Sequence, residues 1–145
     1  MKNSLIVINS DKEKSKLLAE QIATYLQKKE IKSSFYTFNG FEEQVSFEGY
    51  DFVITLGGDG TVLFAARNCA KLKIPVFPIN LGEFGFIAAV QPDEWKTSLE
   101  EFLQNNSPFV EITIYPEFII QASGTHYDYL SEKNVNMLKS SLYSF

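Results

Sequence analysis

Two mainly apolar runs stand out along the chain, Leu5-Ile6-Val7-Ile8, continuous and bounded by polar residues, and Phe52-Val53-Ile54-Thr55-Leu56. Runs this short and this rich in β-branched residues are the pattern of strands buried on both faces, as in a parallel sheet. Between them the period changes. Ser10-Asp11-Lys12-Glu13 has capping-box spacing, and Leu18, Ile22, Tyr25 and Leu26 recur at helical intervals. Lys28, Lys29 and Lys32 read as closing that helix with positive charge, where the macrodipole favours it, before Ser33 to Phe38 resumes extended character. Strand, helix and strand form a βαβ unit. Asn39 to Tyr50 is a polar connection with room for one helical turn, and its Glu42, Glu43 and Glu48 read as a solvated surface.

The second apolar run passes directly into Gly57-Gly58-Asp59-Gly60-Thr61. From Thr61 the stretch Val62 to Ala70 supplies good helix formers with an apolar face. Ile74 to Asn80 is a further strand candidate, weakened by Pro75 and Pro78. A glycine-bearing loop follows, Asn80-Leu81-Gly82-Glu83-Phe84-Gly85-Phe86, and Asp93 to Gln104 then predicts a helix with Trp95, Leu99, Phe102 and Leu103 on one face. A boundary is expected at Asn105-Asn106-Ser107-Pro108. Beyond it Val110, Ile112, Ile114, Phe118, Ile119 and Ile120 predict short β segments. The expectation is an α/β domain over residues 1–108, with a mainly parallel, Rossmann-like sheet and helices on both faces, followed by an incomplete β-rich segment over 109–145. Some forty residues are too few to close a sheet with its own core, so the segment's strand edges are open to packing or to a homo-oligomer.

Composition narrows the partners. With 13 basic and 18 acidic side chains in 145 residues the formal charge is −5, and Arg67 is the only arginine. Nucleic-acid binding depends on clustered cations that neutralise phosphates, so no nucleic-acid partner is expected. A single cysteine, Cys69, excludes an internal disulfide, and with one histidine, His126, no Cys/His zinc cluster can assemble. No apolar run approaches membrane-spanning length. The expectation is a soluble, cytoplasmic chain with no membrane partner.

The chemistry concentrates at Gly57-Gly58-Asp59-Gly60-Thr61. Ligands of parallel sheets bind beyond the carboxyl ends of the strands, and glycines there let a ligand approach the backbone. The following helix N-terminus suits phosphate, although the absence of a lysine after the glycines excludes a Walker A loop. Asp59 is out of character for a plain phosphate cradle. It is either a helix cap in a tight turn, or a carboxylate that binds metal or accepts a proton from an attacking hydroxyl.

Together, Gly57-Gly58-Asp59-Gly60-Thr61 and Pro75-Val76-Phe77-Pro78-Ile79-Asn80-Leu81-Gly82-Glu83-Phe84-Gly85-Phe86 resemble the ATP- or polyphosphate-dependent NAD kinase family. The likeness runs from Leu5 to about Pro108. Diacylglycerol and sphingosine-type lipid kinases share the GGDG turn. They carry a Gly-Thr-Gly-Asn-Asp element where this chain has Asn80-Leu81-Gly82. The resemblance implies transfer of a γ-phosphoryl group from ATP or polyphosphate, with Mg²⁺, to the adenosine ribose 2′-hydroxyl of NAD, giving NADP. It implies Asp59 as the base. Asp59 and Gly60 would contact the dinucleotide, and Gly57, Gly58 and Thr61 the donor phosphates. The aromatic contact with the dinucleotide would fall on Phe86, with Phe84 and Asn80 nearby. As residues alone, Phe84 and Phe86 are equally core candidates.

The chain departs from the family's pattern in three places. Phe64 stands five positions after Asp59, where many members have a basic residue. In the second domain the family has an Asn-acidic pair; Asn134 matches the Asn, but Val135 replaces the acid. The Thr-Pro-Thr-Gly-Ser-Thr-Ala-Tyr-like stretch has no clear counterpart. These departures imply a truncated or divergent C-terminal part and keep two alternatives open, a non-catalytic nucleotide-binding relative and, on the shared turn only, a lipid kinase. Cys69 reads as a core filler, Arg67 as a surface residue, and His126 as structural or exposed.

Overall fold

A computed structural model of the chain describes residues 1–10, 13–40, 45–82, 85, 87, 88 and 90–104. Its elements are β1 (Asn3–Asn9), α1 (Glu13–Gln27), β2 (Lys32–Phe38), β3 (Phe52–Gly57), α2 (Asp59–Ala70), β4 (Val76–Asn80) and α3 (Trp95–Leu103). The four strands form one parallel sheet in the order β2-β1-β3-β4. The expected α/β architecture and the first βαβ unit are both present.

The two apolar runs become the central strands, and all six residues of β3 are buried. Alternation along β3 divides its side chains between two cores. Phe52, Ile54 and Leu56 meet Leu18, Ile22 and Leu26 of α1 and Leu99 and Phe102 of α3, while Val53 packs on the opposite face with Phe64, Ala65 and Cys69 of α2. Helices therefore cover both faces. Each fully buried aliphatic side chain contributes roughly 1.5–3 kcal/mol, so the switch from polar flanks to apolar runs fixes which strands lie inside. Burial also pushes the Cys69 thiol up to about 12, as a core residue requires.

Phe47, in the connection between β2 and β3, is buried in the α2-side core and meets the Phe64 ring edge-on at 6.0 Å. No helical turn occurs among residues 39, 40 and 45–50 of that connection; Gly40 and Gly49 reverse the chain there at φ values of 88° and 87°. Glu48 is exposed, whereas Glu42 and Glu43 lie outside the described residues.

Three sequence expectations are corrected. Helix α1 ends at Gln27 with no basic residue in its last turn. Its final carbonyls are taken by backbone amides instead: Lys29 N and Ile31 N donate to Leu26 O at 2.9 and 3.0 Å, through a turn in which Glu30 has φ 61°. Lys28 and Lys29 belong to that turn, and Lys32 opens β2. Secondly, α2 begins at Asp59, two residues before Thr61, because Gly58 takes the extended N-cap position (φ −97°, ψ −167°) and its carbonyl accepts Thr61 N and Val62 N.

Thirdly, Pro78 does not weaken β4. Leu81 N donates inward to Gly57 O at 2.9 Å, whereas Asn80 N donates outward to Val90 O and Val90 N donates to Pro78 O. Residues 78 and 80 thus turn their backbones away from β3, and Pro78 loses no ladder bond.

Helix α3 is tied to α1 through Glu100, which accepts hydrogen bonds from Tyr25 Oη and, at 2.7 Å, from Lys29 Nζ. Trp95 meets Tyr25 edge-on at 5.5 Å, and the Phe102 ring sits 5.5 and 5.3 Å from those of Phe52 and Phe77. This tie fixes the far end of the segment that follows β4. Among the described residues no helix is long and apolar enough to cross a membrane.

Candidate functional site

The chain leaves β1 towards β2 on one side, and β3 pairs with β1 on the other. Such a reversal of winding opens a crevice beyond the carboxyl ends of the two strands. Asn9 ends β1 and Gly57 ends β3, so the Gly57–Thr61 turn stands at that crevice with the start of α2 behind it. First-turn amides and the positive end of the helix dipole favour an anion there.

The inner side of the turn is closed. A Cβ on Gly57 would lie 2.3 Å from Thr61 Oγ1 and 3.1 Å from Asn9 Cβ, so glycine is required here by space and not by φ. Thr61 is 1 % exposed, and its hydroxyl accepts the Asn9 carboxamide at a long 3.5 Å. Asn9 O in turn accepts Ser15 Oγ at 3.0 Å, linking the crevice to α1. One row below Gly57 on β3, Thr55 is wholly buried and its Oγ1 lacks a partner among the described residues.

The outer side is open. A Cβ on Gly58 or Gly60 would meet no described atom within 4 Å, and neither residue has a positive φ. Between them Asp59, half-buried in the first turn of α2, points its carboxylate across the crevice. Its Oδ1 accepts Ile87 N at 3.1 Å and Ala88 N at 3.4 Å. The capping reading of Asp59 is thereby replaced: Gly58 is the N-cap, and the carboxylate serves the loop after β4.

That loop is closed at its base by the parallel bridge between Ile79 and Val90, with Asn80 N donating to Val90 O at 2.8 Å. Asn80 is buried; its Oδ1 accepts Gly82 N at 2.9 Å, and its carboxamide lies against Gly85. With Leu81 N on Gly57 O, the two glycine-bearing motifs are joined by backbone and side-chain hydrogen bonds into one unit.

The structure therefore brings together Gly57, Gly58, Asp59, Gly60, Thr61 and Asn80, while Phe84, Phe86 and Asn134 lie outside the described residues, as does His126. Arg67 is exposed two turns along α2. Sequence reasoning missed Asn9, whose signal is a polar residue ending an apolar strand at the crevice. It also missed the amides of Ile87 and Ala88, for which no side-chain signal exists. Among the described residues no three acids, histidines or cysteines group as a metal site.

Comparison with known proteins agrees with this geometry. Residues 40–107 match the ATP-NAD kinase N-terminal domain. Over 140 residues the chain is 39 % identical to an NAD kinase of Treponema denticola, covering 96 % of this chain and 45 % of that protein. It is 35 % identical over 100 residues to an NAD kinase of Treponema pallidum, covering 68 % of this chain and 33 % of that one. Against an NAD kinase of Clostridium botulinum it is 36 % identical over 107 residues, 72 % of this chain and 38 % of the relative. The chain spans less than half the length of these curated relatives. With the GGDGT turn at the crevice and the second motif bonded to it, the chain belongs, through this N-terminal α/β domain, to the NAD kinase family.

Proposed function

We propose that the chain carries the phosphoryl-transfer half of an NAD kinase, which phosphorylates the adenosine ribose 2′-hydroxyl of NAD. The observation that carries this reading is the open outer side of the turn, where Gly58 and Gly60 flank Asp59 with no described atom within 4 Å of an added Cβ. Gly60 lies in the first turn of a helix, where glycine costs up to about 1 kcal/mol relative to alanine, and among the described residues no packing offsets that cost. Close approach of a ligand to the backbone does.

In the reaction the ribose 2′-oxygen attacks the terminal phosphorus of the donor, the bond from that phosphorus to its bridging oxygen breaks, and the shortened donor leaves. Asp59 accepts the hydroxyl proton and returns it to solvent. The transition state is loose, so the protein's contribution is positioning and charge neutralisation. Asp59 and Gly60 meet the dinucleotide; the donor phosphates lie near Gly57, Gly58 and Thr61, at the positive end of α2. ATP and polyphosphate both fit that role, and bound Mg²⁺ would supply charge neutralisation of the donor's oxygens, with Asp59 the described carboxylate at the turn. Phe84, Phe86 and Asn134 complete the dinucleotide contacts, in a cytoplasmic protein that self-associates.

The test is NADP formation by the chain with NAD, Mg²⁺ and either donor, with Asp59→Asn as control. Turnover is expected in the parent and a loss of roughly 10²- to 10⁴-fold in the variant, the usual contribution of a positioned base. Calorimetric NAD binding with no turnover would exclude catalysis by this chain.

A further inference from the structure

Asn80 stands apart from the other site residues because its side chain is directed into the loop and not into the crevice. It is 5 % exposed, its Oδ1 is occupied by Gly82 N at 2.9 Å, and its Nδ2 lies where a Cβ on Gly85 would come within 2.5 Å. Gly85 has no positive φ, so its backbone conformation does not demand glycine. Space does: Asn80 Cγ would be 2.8 Å and Ala88 O 3.1 Å from the same added atom. Two residues beyond Gly85 come the amides of Ile87 and Ala88, which hold Asp59 Oδ1.

We propose that the buried Asn80 carboxamide, nested against Gly85, is a positioning device that sets the height of the loop over β4 and, through the Ile87 and Ala88 amides, the orientation of the Asp59 carboxylate. Asn80 then acts on the reaction without touching NAD or the donor. The proposal rests on the reading of Asp59 as the base for its catalytic consequence, but its structural half stands by itself. Since Asn80 is buried, held by Gly82 N and next to the Ile79–Val90 bridge, a side chain added at Gly85 displaces Gly85 and not the carboxamide. The amides facing Asp59 follow Gly85 by two and three residues.

The experiment compares the parent chain, Gly85→Ala, Asn80→Ala and the double variant by residue-resolved amide hydrogen exchange and by NADP formation. In Gly85→Ala the Ile87 and Ala88 amides are expected to exchange about tenfold faster or more, while Ile54 and Leu56 in β3 keep their protection, which separates loop displacement from unfolding. Turnover is expected to fall roughly 10- to 100-fold with the KM for NAD within about twofold of the parent, as misplacement of a reacting group does. In the Asn80→Ala background the carboxamide is gone, so adding Gly85→Ala should produce little further change in exchange at Ile87 and Ala88.

Unchanged exchange in Gly85→Ala would overturn the proposal, as would an equal effect of that substitution with and without Asn80. Faster exchange with undiminished turnover would overturn its catalytic half. A chain with no turnover at all refutes the proposed function, and the exchange arm still decides whether Asn80 and Gly85 place the loop.

Discussion

On its inner side the turn after β3 is packed to the limit: Thr61 Oγ1 occupies the place of a side chain at Gly57, and Asn9 closes the gap from β1. On its outer side, one and three residues later, Gly58 and Gly60 face no described atom within 4 Å. The same residue type serves opposite needs within four positions. Gly57 is glycine because the protein itself fills the space, whereas Gly58 and Gly60 border space that no described residue fills, which is the room the proposed ligand contact requires. Substitution by alanine separates the two cases, because it must cost stability on one side and not on the other.

The largest effect is expected at Gly57. Gly57→Ala drives a methyl group into the Thr61 side chain and should destabilise the fold by about 1–3 kcal/mol, read as a lowered midpoint in urea. Thr61→Ala in the same chain should recover part of that loss. A smaller change of opposite sign is expected at Gly60. In the first turn of α2, Gly60→Ala should raise stability by about 0.5–1 kcal/mol and weaken binding of NAD or of the donor, read by thermal melting and by calorimetry. A Gly60→Ala chain that is stabilised and binds as before would break the comparison.

The remaining prediction, silent at neutral pH, concerns Cys69, further along α2 on the closed side. With its thiol pushed by burial from 9.0 up to about 12, the unfolded chain ionises first as pH rises. Its contribution to stability is therefore complete below about pH 9 and is lost progressively between there and about 12. Iodoacetamide at pH 8 should leave the native chain unmodified and react once urea unfolds it.

Much of this was legible in the residues. The apolar runs at Leu5–Ile8 and Phe52–Leu56 mark the two central strands because a strand covered on both faces has no polar face to show. The helical period of Leu18, Ile22 and Leu26 marks α1. The start of α2 was misplaced because Gly58 caps it with backbone alone, leaving no side-chain signature. Pro78 misled for a related reason: a proline counts against a strand only when its missing amide faces a neighbour, and sequence does not reveal facing. The bond from Asp59 to Ile87 and Ala88 was invisible, since any residue but proline supplies such a donor.

The bridge between Ile79 and Val90 has an evolutionary consequence. A loop tied at its base can lengthen or change sequence at its tip with little penalty, because each doubling of a flexible loop costs only about 0.6 kcal/mol in closure entropy. The sheet, the Gly57–Thr61 turn and the ends of β4 and α3 need not adjust. Insertions between Gly82 and Gly85 would thus spare the sheet and the bridge while moving Gly85 relative to Asn80, and with it the amides that face Asp59, so they would retune the site without rebuilding the fold.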